Sequence, residues 1–120
     1  MALRNVIGVD HVVVATRDLA QAARDWAGLG FVVSPRGLHS PQMGTANHTI
    51  MFAQDYVELL SPVADTEQNQ QTRDFLARGE GVERVAFTAV DAAAGAAEIA
   101  ARGVAAIGPV HFGRPVPRRG

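Results

Sequence analysis

The chain contains no cysteine and no lysine. The first absence excludes a disulfide framework, thiolate metal sites and a cysteine nucleophile together. The second leaves arginine as the source of all 11 basic side chains, and the formal net charge is -1. No basic field is therefore present to drive non-specific attachment to nucleic acid. Aromatic residues make up only 6% of the sequence and are scattered, which argues against a stacking platform for single strands. No apolar run approaches the roughly 18 residues of a membrane span, and Met1-Ala2-Leu3-Arg4-Asn5 does not read as a signal peptide. Equally missing are a phosphate-binding Gly-rich loop opening a helix, a Gly-x-Ser-x-Gly nucleophile turn and a His-x-x-x-His pair. What remains is 120 residues with 48% apolar content, enough for one domain with its own core. The expectation is a cytoplasmic protein with a small-molecule ligand and no nucleic-acid or membrane partner.

Within this plain composition the chain repeats itself. Gly8-Val9-Asp10-His11-Val12 aligns without a gap on Gly81-Val82-Glu83-Arg84-Val85, an offset of 73 residues. The offset holds at Asp18/Asp91, Ala23/Ala96, Ala27/Ala100 and Gly30/Gly103. Such a repeat marks a duplicated supersecondary unit, and a site is expected in the cleft between the copies. At the position where the match matters chemically, the first copy offers His11 and the second Arg84.

Residues 7 to 16 are rich in β-branched side chains and read as a strand largely buried on both faces. Asp18 caps a helix, with Gln21 as its reciprocal capping-box partner, and Gly28 and Gly30 end it. Phe31 to Ser34 reads as a second short strand broken by Pro35-Arg36-Gly37, and Leu38 to Gly44 as a loop. Thr45 to Phe52 and Tyr56 to Leu60 form an antiparallel hairpin. The first unit is thus β-α-β-β-β over about residues 7 to 62. A polar linker of about residues 63 to 80 includes a short helix capped by Thr72 and stopped at Gly79. A second copy follows over about residues 81 to 112: a strand at Val82 to Ala89, a helix from Ala92 to Arg102 capped by Asp91, and a strand at Val104 to Ile107. Completing that copy takes two more strands, roughly 25 to 30 residues, whereas Gly108 to Gly120 can supply one irregular strand around Val110 to Phe112. The expected fold class is α+β, a single domain of tandem βαβββ modules with the second truncated. The sheet edge and apolar surface so exposed point to a homodimer.

Val9-Asp10-His11-Val12-Val13-Val14-Ala15, Asp18-Leu19, Leu29-Gly30-Phe31, Gly44-Thr45-Ala46-Asn47-His48, Tyr56-Val57-Glu58-Leu59-Leu60 and Phe75-Leu76-Ala77-Arg78-Gly79-Glu80-Gly81 together resemble the bacterial glyoxalase-like domain family. This family lies in the vicinal oxygen chelate superfamily, with glyoxalase I, extradiol dioxygenases and bleomycin-resistance binding proteins. The resemblance implies a cleft for a small oxygenated metabolite and lyase, isomerase or dioxygenase-type chemistry. It also implies one divalent ion (Zn, Ni, Mn or Fe) held by side chains of the first and fourth strands of each module. His11 and Glu58 match the two ligands of the first module, and the same pair can act as acid and base. Arg84 stands where the second module's histidine is expected, and guanidinium has no lone pair to give a metal. The alternative is therefore a binding module of the same fold with no metal, in which Arg84 supplies the positive charge and holds an anionic or carbonyl-bearing ligand, or a chain with a structural role only.

Each of these residues also has a plainer reading. His11 among valines is a hydrogen-bonded core histidine, and Glu58 in an apolar strand needs a partner, for which Arg84 and His11 compete with a metal or a substrate proton. Asn47 and His48 occupy opposite faces of one strand, so at most one of the two faces the cleft. His39 reads as a loop histidine over the mouth of the site, Trp26 as core, and His111 is given no role. Arg114, Arg118 and Arg119 read as a solvated terminus.

Overall fold

The computed structural model describes residues 2–105. Its elements run β1 (Val6–Ala15), α1 (Leu19–Gly28), β2 (Gly37–Leu38), β3 (Thr45–Met51), β4 (Tyr56–Pro62), α2 (Gln70–Arg78), β5 (Gly81–Ala89) and α3 (Ala92–Ala100). The strands form one mixed sheet in the order β2-β3-β4-β1-β5. The expected strands at Val104 to Ile107 and Val110 to Phe112 lie almost wholly outside the described residues; Val104 and Ala105 are not in a strand. The chain divides into two compact units, one of Val9–Phe87 and one joining residues 2–8 to residues 88–105 among those described.

In the larger unit, β1 pairs in parallel with β4, His11 opposite Tyr56 and Val13 opposite Glu58. β4 pairs antiparallel with β3, Thr49 opposite Glu58 and Asn47 opposite Leu60. Because alternate residues point to opposite sides, one face of the sheet carries His11, Val13, Asn47 and Glu58, and the other carries Val14, Ala46, Ile50, Val57 and Leu59. The second face is the core: Ala46, Ile50 and Leu59 are sealed by Leu19, Ala22 and Trp26 of α1. Leu19, Ile50 and Leu59 each contribute on the order of 1.5–3 kcal/mol on burial. The expectation that β1 is largely buried on both faces fails in its first half, where Ile7 and Val9 are 63% and 41% exposed. The β4 ladder starts only at His11, so residues before it have no neighbour on that side.

Local chemistry explains the other boundaries. The Asp18 side chain accepts from Gln21 N–H at 3.0 Å, but the Gln21 amide turns outward to Asp25, so the capping box is only half formed. Thr16 Oγ1 takes the Asp18 N–H instead. The strand expected at Phe31 to Ser34 is displaced to Gly37–Leu38. Ser34 does meet the sheet, its N–H donating to Thr49 O at 2.8 Å and its Oγ accepting from Thr49 N–H at 2.7 Å, but Pro35 has no N–H with which to continue the ladder. The linker helix starts at Gln70 rather than after Thr72; Thr72 is 2% exposed within it.

In the smaller unit, the Asp91 carboxylate caps α3 through the N–H groups of Ala93 and Ala94, as the sequence predicts, although the helix ends at Ala100. Glu98 on that helix accepts from Arg4 N–H at 3.0 Å and Asn5 N–H at 2.7 Å. These backbone donors, Arg4 first and then Asn5, hold its carboxyl below the ordinary carboxylate range. A carboxylate with a depressed folded pKa contributes stability that is fully present above its unfolded value, about 4.3, and is lost as pH falls through the folded value. Thermal melts between pH 7 and pH 3 should therefore show wild type ahead of Glu98→Gln at neutral pH, with the gap closing below about pH 4.3. A gap independent of pH would rule out this linkage.

Candidate functional site

Four polar side chains meet on the sheet face opposite α1. Glu58 of β4 is at the centre, its side chain 9% exposed. Asn47 of β3 donates from Nδ2 to Glu58 Oε2 at 2.8 Å. His11 of β1 places Nε2 3.7 Å from Glu58 Oε1, and His39, just after β2, places Nε2 3.5 Å from Oε2. Both rings are held from behind. His11 Nδ1 donates to Asp10 Oδ2 at 2.7 Å, which leaves Nε2 as the nitrogen turned toward Glu58. Its ring stacks on Tyr56 with centroids 4.6 Å apart and planes 9° from parallel. His39 Nδ1 is hydrogen-bonded to Thr45 Oγ1 at 2.7 Å. A buried carboxylate thus has one firm hydrogen bond and two imidazoles just beyond hydrogen-bond length, with His11, 20% exposed, as its most accessible neighbour.

Of the residues singled out from sequence, His11, Glu58 and Asn47 come together here, and His48 and Arg84 do not. His48 lies on the helix side of β3, where Nδ1 donates to Ser34 O at 2.8 Å. Arg84 pairs with Glu83 through Nε and Nη2 and donates from Nη2 to Thr72 Oγ1 at 3.0 Å. The anticipated competition of Arg84 for Glu58 is therefore absent from this arrangement. His39 is the member that sequence reading placed elsewhere, as a loop residue over the mouth. Its N–H donates to Thr45 O at 2.9 Å, so the β2–β3 ladder continues past Leu38 and turns the ring inward. Only the pairing register carries that signal.

Gly37 is required by the same geometry. It lies opposite Asn47, and a Cβ there would overlap Asn47 Oδ1. Gly37→Ala should leave the fold intact, because the atom displaced ends a side chain, but turn the Asn47 amide away from Glu58. The expected readout is a shift of the Asn47 side-chain NH2 resonances with a melting temperature lowered by roughly 4–12 °C, since a buried donor and carboxylate lose their shared bond at a cost of about 1–3 kcal/mol. Unchanged amide resonances would show that Asn47 is not displaced.

The divalent ion implied by the resemblance can be tested against these donors. His11 Nε2 and Glu58 Oε1 are spaced roughly as two ligands of one ion, whose tetrahedral edge is about 3.3 Å for bonds of 2.0–2.1 Å. Among the described residues, however, no group of three or more His, Cys, Asp or Glu is arranged to hold an ion. His39 addresses the other oxygen of Glu58, which Asn47 already occupies. The described donor set does not fit a complete divalent site.

A β-α-β-β-β sheet with a histidine of its first strand and a glutamate of its fourth on one face defines a protein of the vicinal oxygen chelate class. Within it the chain belongs to the glyoxalase-like domain family, whose model matches residues 9–120. Solved structures agree. A methylmalonyl-CoA epimerase in complex with methylmalonyl-CoA and ammonium superposes with TM-score 0.68 at 28% identity, over 83% of this chain and 72% of that one. A variant of the Streptomyces coelicolor epimerase, in complex with 2-nitronate-propionyl-CoA, gives the same values. The epimerase from Mycobacterium tuberculosis, at 24% identity and TM-score 0.69 over 88% of this chain and 70% of that one, shares the fold. No curated protein sequence matches. No helix among the described residues is long and apolar enough to cross a membrane.

Proposed function

We propose that the Glu58 cluster is the acid/base centre of an isomerase-type enzyme acting on a small oxygenated molecule. The observation that carries this reading is the near-buried Glu58 carboxylate, fixed by Asn47 at 2.8 Å and approached by His11 at 3.7 Å on its other oxygen. A carboxylate so placed removes a proton from carbon next to a carbonyl, and the C–H electron pair becomes the enolate; reprotonation from Glu58 on the same face gives exchange with retention, whereas a proton taken from solvent on the opposite face, with Glu58 releasing its own to solvent, inverts the carbon. His11, oriented by Asp10 and Tyr56, faces the oxygen that carries the proton. Asn47 keeps the other oxygen aimed while the charge changes. Epimerisation, the activity named for the similar solved structures, needs this type of step.

Exchange in D2O tests the proposal. Methylmalonyl-CoA and dihydroxyacetone serve as carbonyl probes, with and without added Zn, Ni or Mn. Deuterium entering the carbon next to the carbonyl faster than in buffer, and lost in His11→Ala, is the expected result. Probe binding without any isotope incorporation would instead favour a binding module. The homodimer belongs to the same reading: β5 stands at one end of the described sheet with Val82, Val85 and Phe87 exposed. A monodisperse monomer by light scattering would overturn that part.

A further inference from the structure

The alternation that turns Asn47 toward Glu58 turns His48 to the other side of the sheet. Ser61, opposite Ala46 in the β3–β4 register, shares that side. With Arg17, Arg36 and the first turn of α1 they line a cavity of about 360 Å³. Part of its donor set is unspent. Ser61 is 6% exposed, yet its hydroxyl has no hydrogen-bond partner among the described residues. No side-chain polar atom sealed from solvent there lacks a partner, so this hydroxyl opens on the cavity. Arg17 is pinned by donation from Nε and Nη2 to Leu76 O, a neutral acceptor, and its backbone N–H donates to Glu80 Oε1 at 2.7 Å. Arg36 is exposed and forms no ion pair among the described residues. His48 is fixed by its bond to Ser34 O.

The ten-residue helix α1 adds its own donors. The N–H groups of Leu19 and Ala20, in its first turn, have no intrahelical acceptor, and the helix dipole is positive at this end. Asp18 is the one carboxylate lining the cavity, and it is engaged in capping Gln21 N–H. Among the residues lining the cavity, two guanidinium groups stand against one carboxylate. Hydroxyl, guanidinium and backbone donors arrive from strand, loop and helix rather than in one plane, which suits a tetrahedral oxyanion better than a flat carboxylate.

We propose that this cavity binds a phosphoryl group, on the sheet face opposite the Glu58 centre and independently of its chemistry. The test is titration of the 15N-labelled chain with inorganic phosphate and with methyl phosphate, at ionic strength matched by sodium chloride. Saturable shifts confined to the amides of Leu19, Ala20 and Ser61 and their neighbours are expected. Tighter binding of methyl phosphate identifies a phosphate monoester as the ligand, and tighter binding of inorganic phosphate identifies the free ion. Arg36→Gln, at an exposed position, and Ser61→Ala should each weaken binding, the former by roughly ten-fold as one charge-assisted contact is lost. Absence of saturable shifts with both probes, or undiminished affinity in Arg36→Gln, overturns the proposal even if Ser61→Ala fails to fold.

Discussion

Glu58→Gln is expected to reduce proton exchange by about 10²- to 10⁴-fold, the usual contribution of a positioned acid/base group, while leaving the melting temperature nearly unchanged. The two halves of this expectation have separate causes. Glutamine has the shape of glutamate, and its carbonyl oxygen can still accept the 2.8 Å hydrogen bond from Asn47, while its amide takes the position that faces His11. Only the capacity to carry a proton at carboxylate basicity is lost. Glu58→Ala should behave differently. It leaves the Asn47 amide, which is 6% exposed, with only its 3.4 Å contact to His39 Nε2 and opens a void between two histidines, at a cost of about 1–3 kcal/mol for the weakened donor alone. A stable Glu58→Gln with full exchange activity would remove Glu58 from the chemistry and make the cluster a structural device.

How legible this site was in the sequence depends on the range of the interaction involved. The Asp18 and Asp91 caps are read from neighbours two or three residues away, and both are present. The opposition of Asn47 and His48 follows from strand alternation alone. Which of them meets Glu58 does not, because it depends on Thr49 pairing with Glu58, a contact set by a hairpin and not by a residue type. His39 escapes local reading for the same reason: its loop has no periodicity, and its inward position is imposed by Gly37 and Thr45 across the ladder. The pairing of His11 with Glu58 came through family resemblance, which carries non-local information that one sequence lacks. Arg84 marks the limit of the repeat as a guide. It aligns with His11 and copies its bond to the preceding acidic residue, Glu83 in place of Asp10, but does not share its place beside Glu58.

The largest loss of stability is expected from Asn69→Asp, on the order of 3 kcal/mol: Arg73 still pairs with one carboxylate oxygen, but the other replaces the donor shared by three buried carbonyls. Asn69 is 3% exposed, and its Nδ2 donates to three carbonyls: Met43 O at 3.0 Å, Gly44 O at 3.1 Å and Ala64 O at 2.7 Å. Its Oδ1 accepts from Thr66 N–H at 3.2 Å and Arg73 Nε at 2.7 Å. One amide therefore joins the segment entering β3, the segment leaving β4 and the helix α2. Aspartate keeps the shape but directs oxygen at those carbonyls. Gly44 completes the junction. Its φ of +61° is a left-handed conformation, costing roughly 1–2 kcal/mol for a residue with a side chain, and a Cβ would stand 2.6 Å from Thr66 Cγ2 and 3.2 Å from Ala64 O. Gly44→Ala should therefore destabilise as well, and because it displaces the carbonyls that Asn69 holds, the Gly44→Ala, Asn69→Ala pair should cost less than the sum of the singles. Urea unfolding of the four species measures this; strict additivity would mean that the two residues act separately. The consequence reaches the site, because Thr45 follows Gly44 directly and holds both the His39 ring and its backbone N–H. Loosening the junction should free His39 from Glu58 at urea concentrations where the β3–β4 hairpin is still formed.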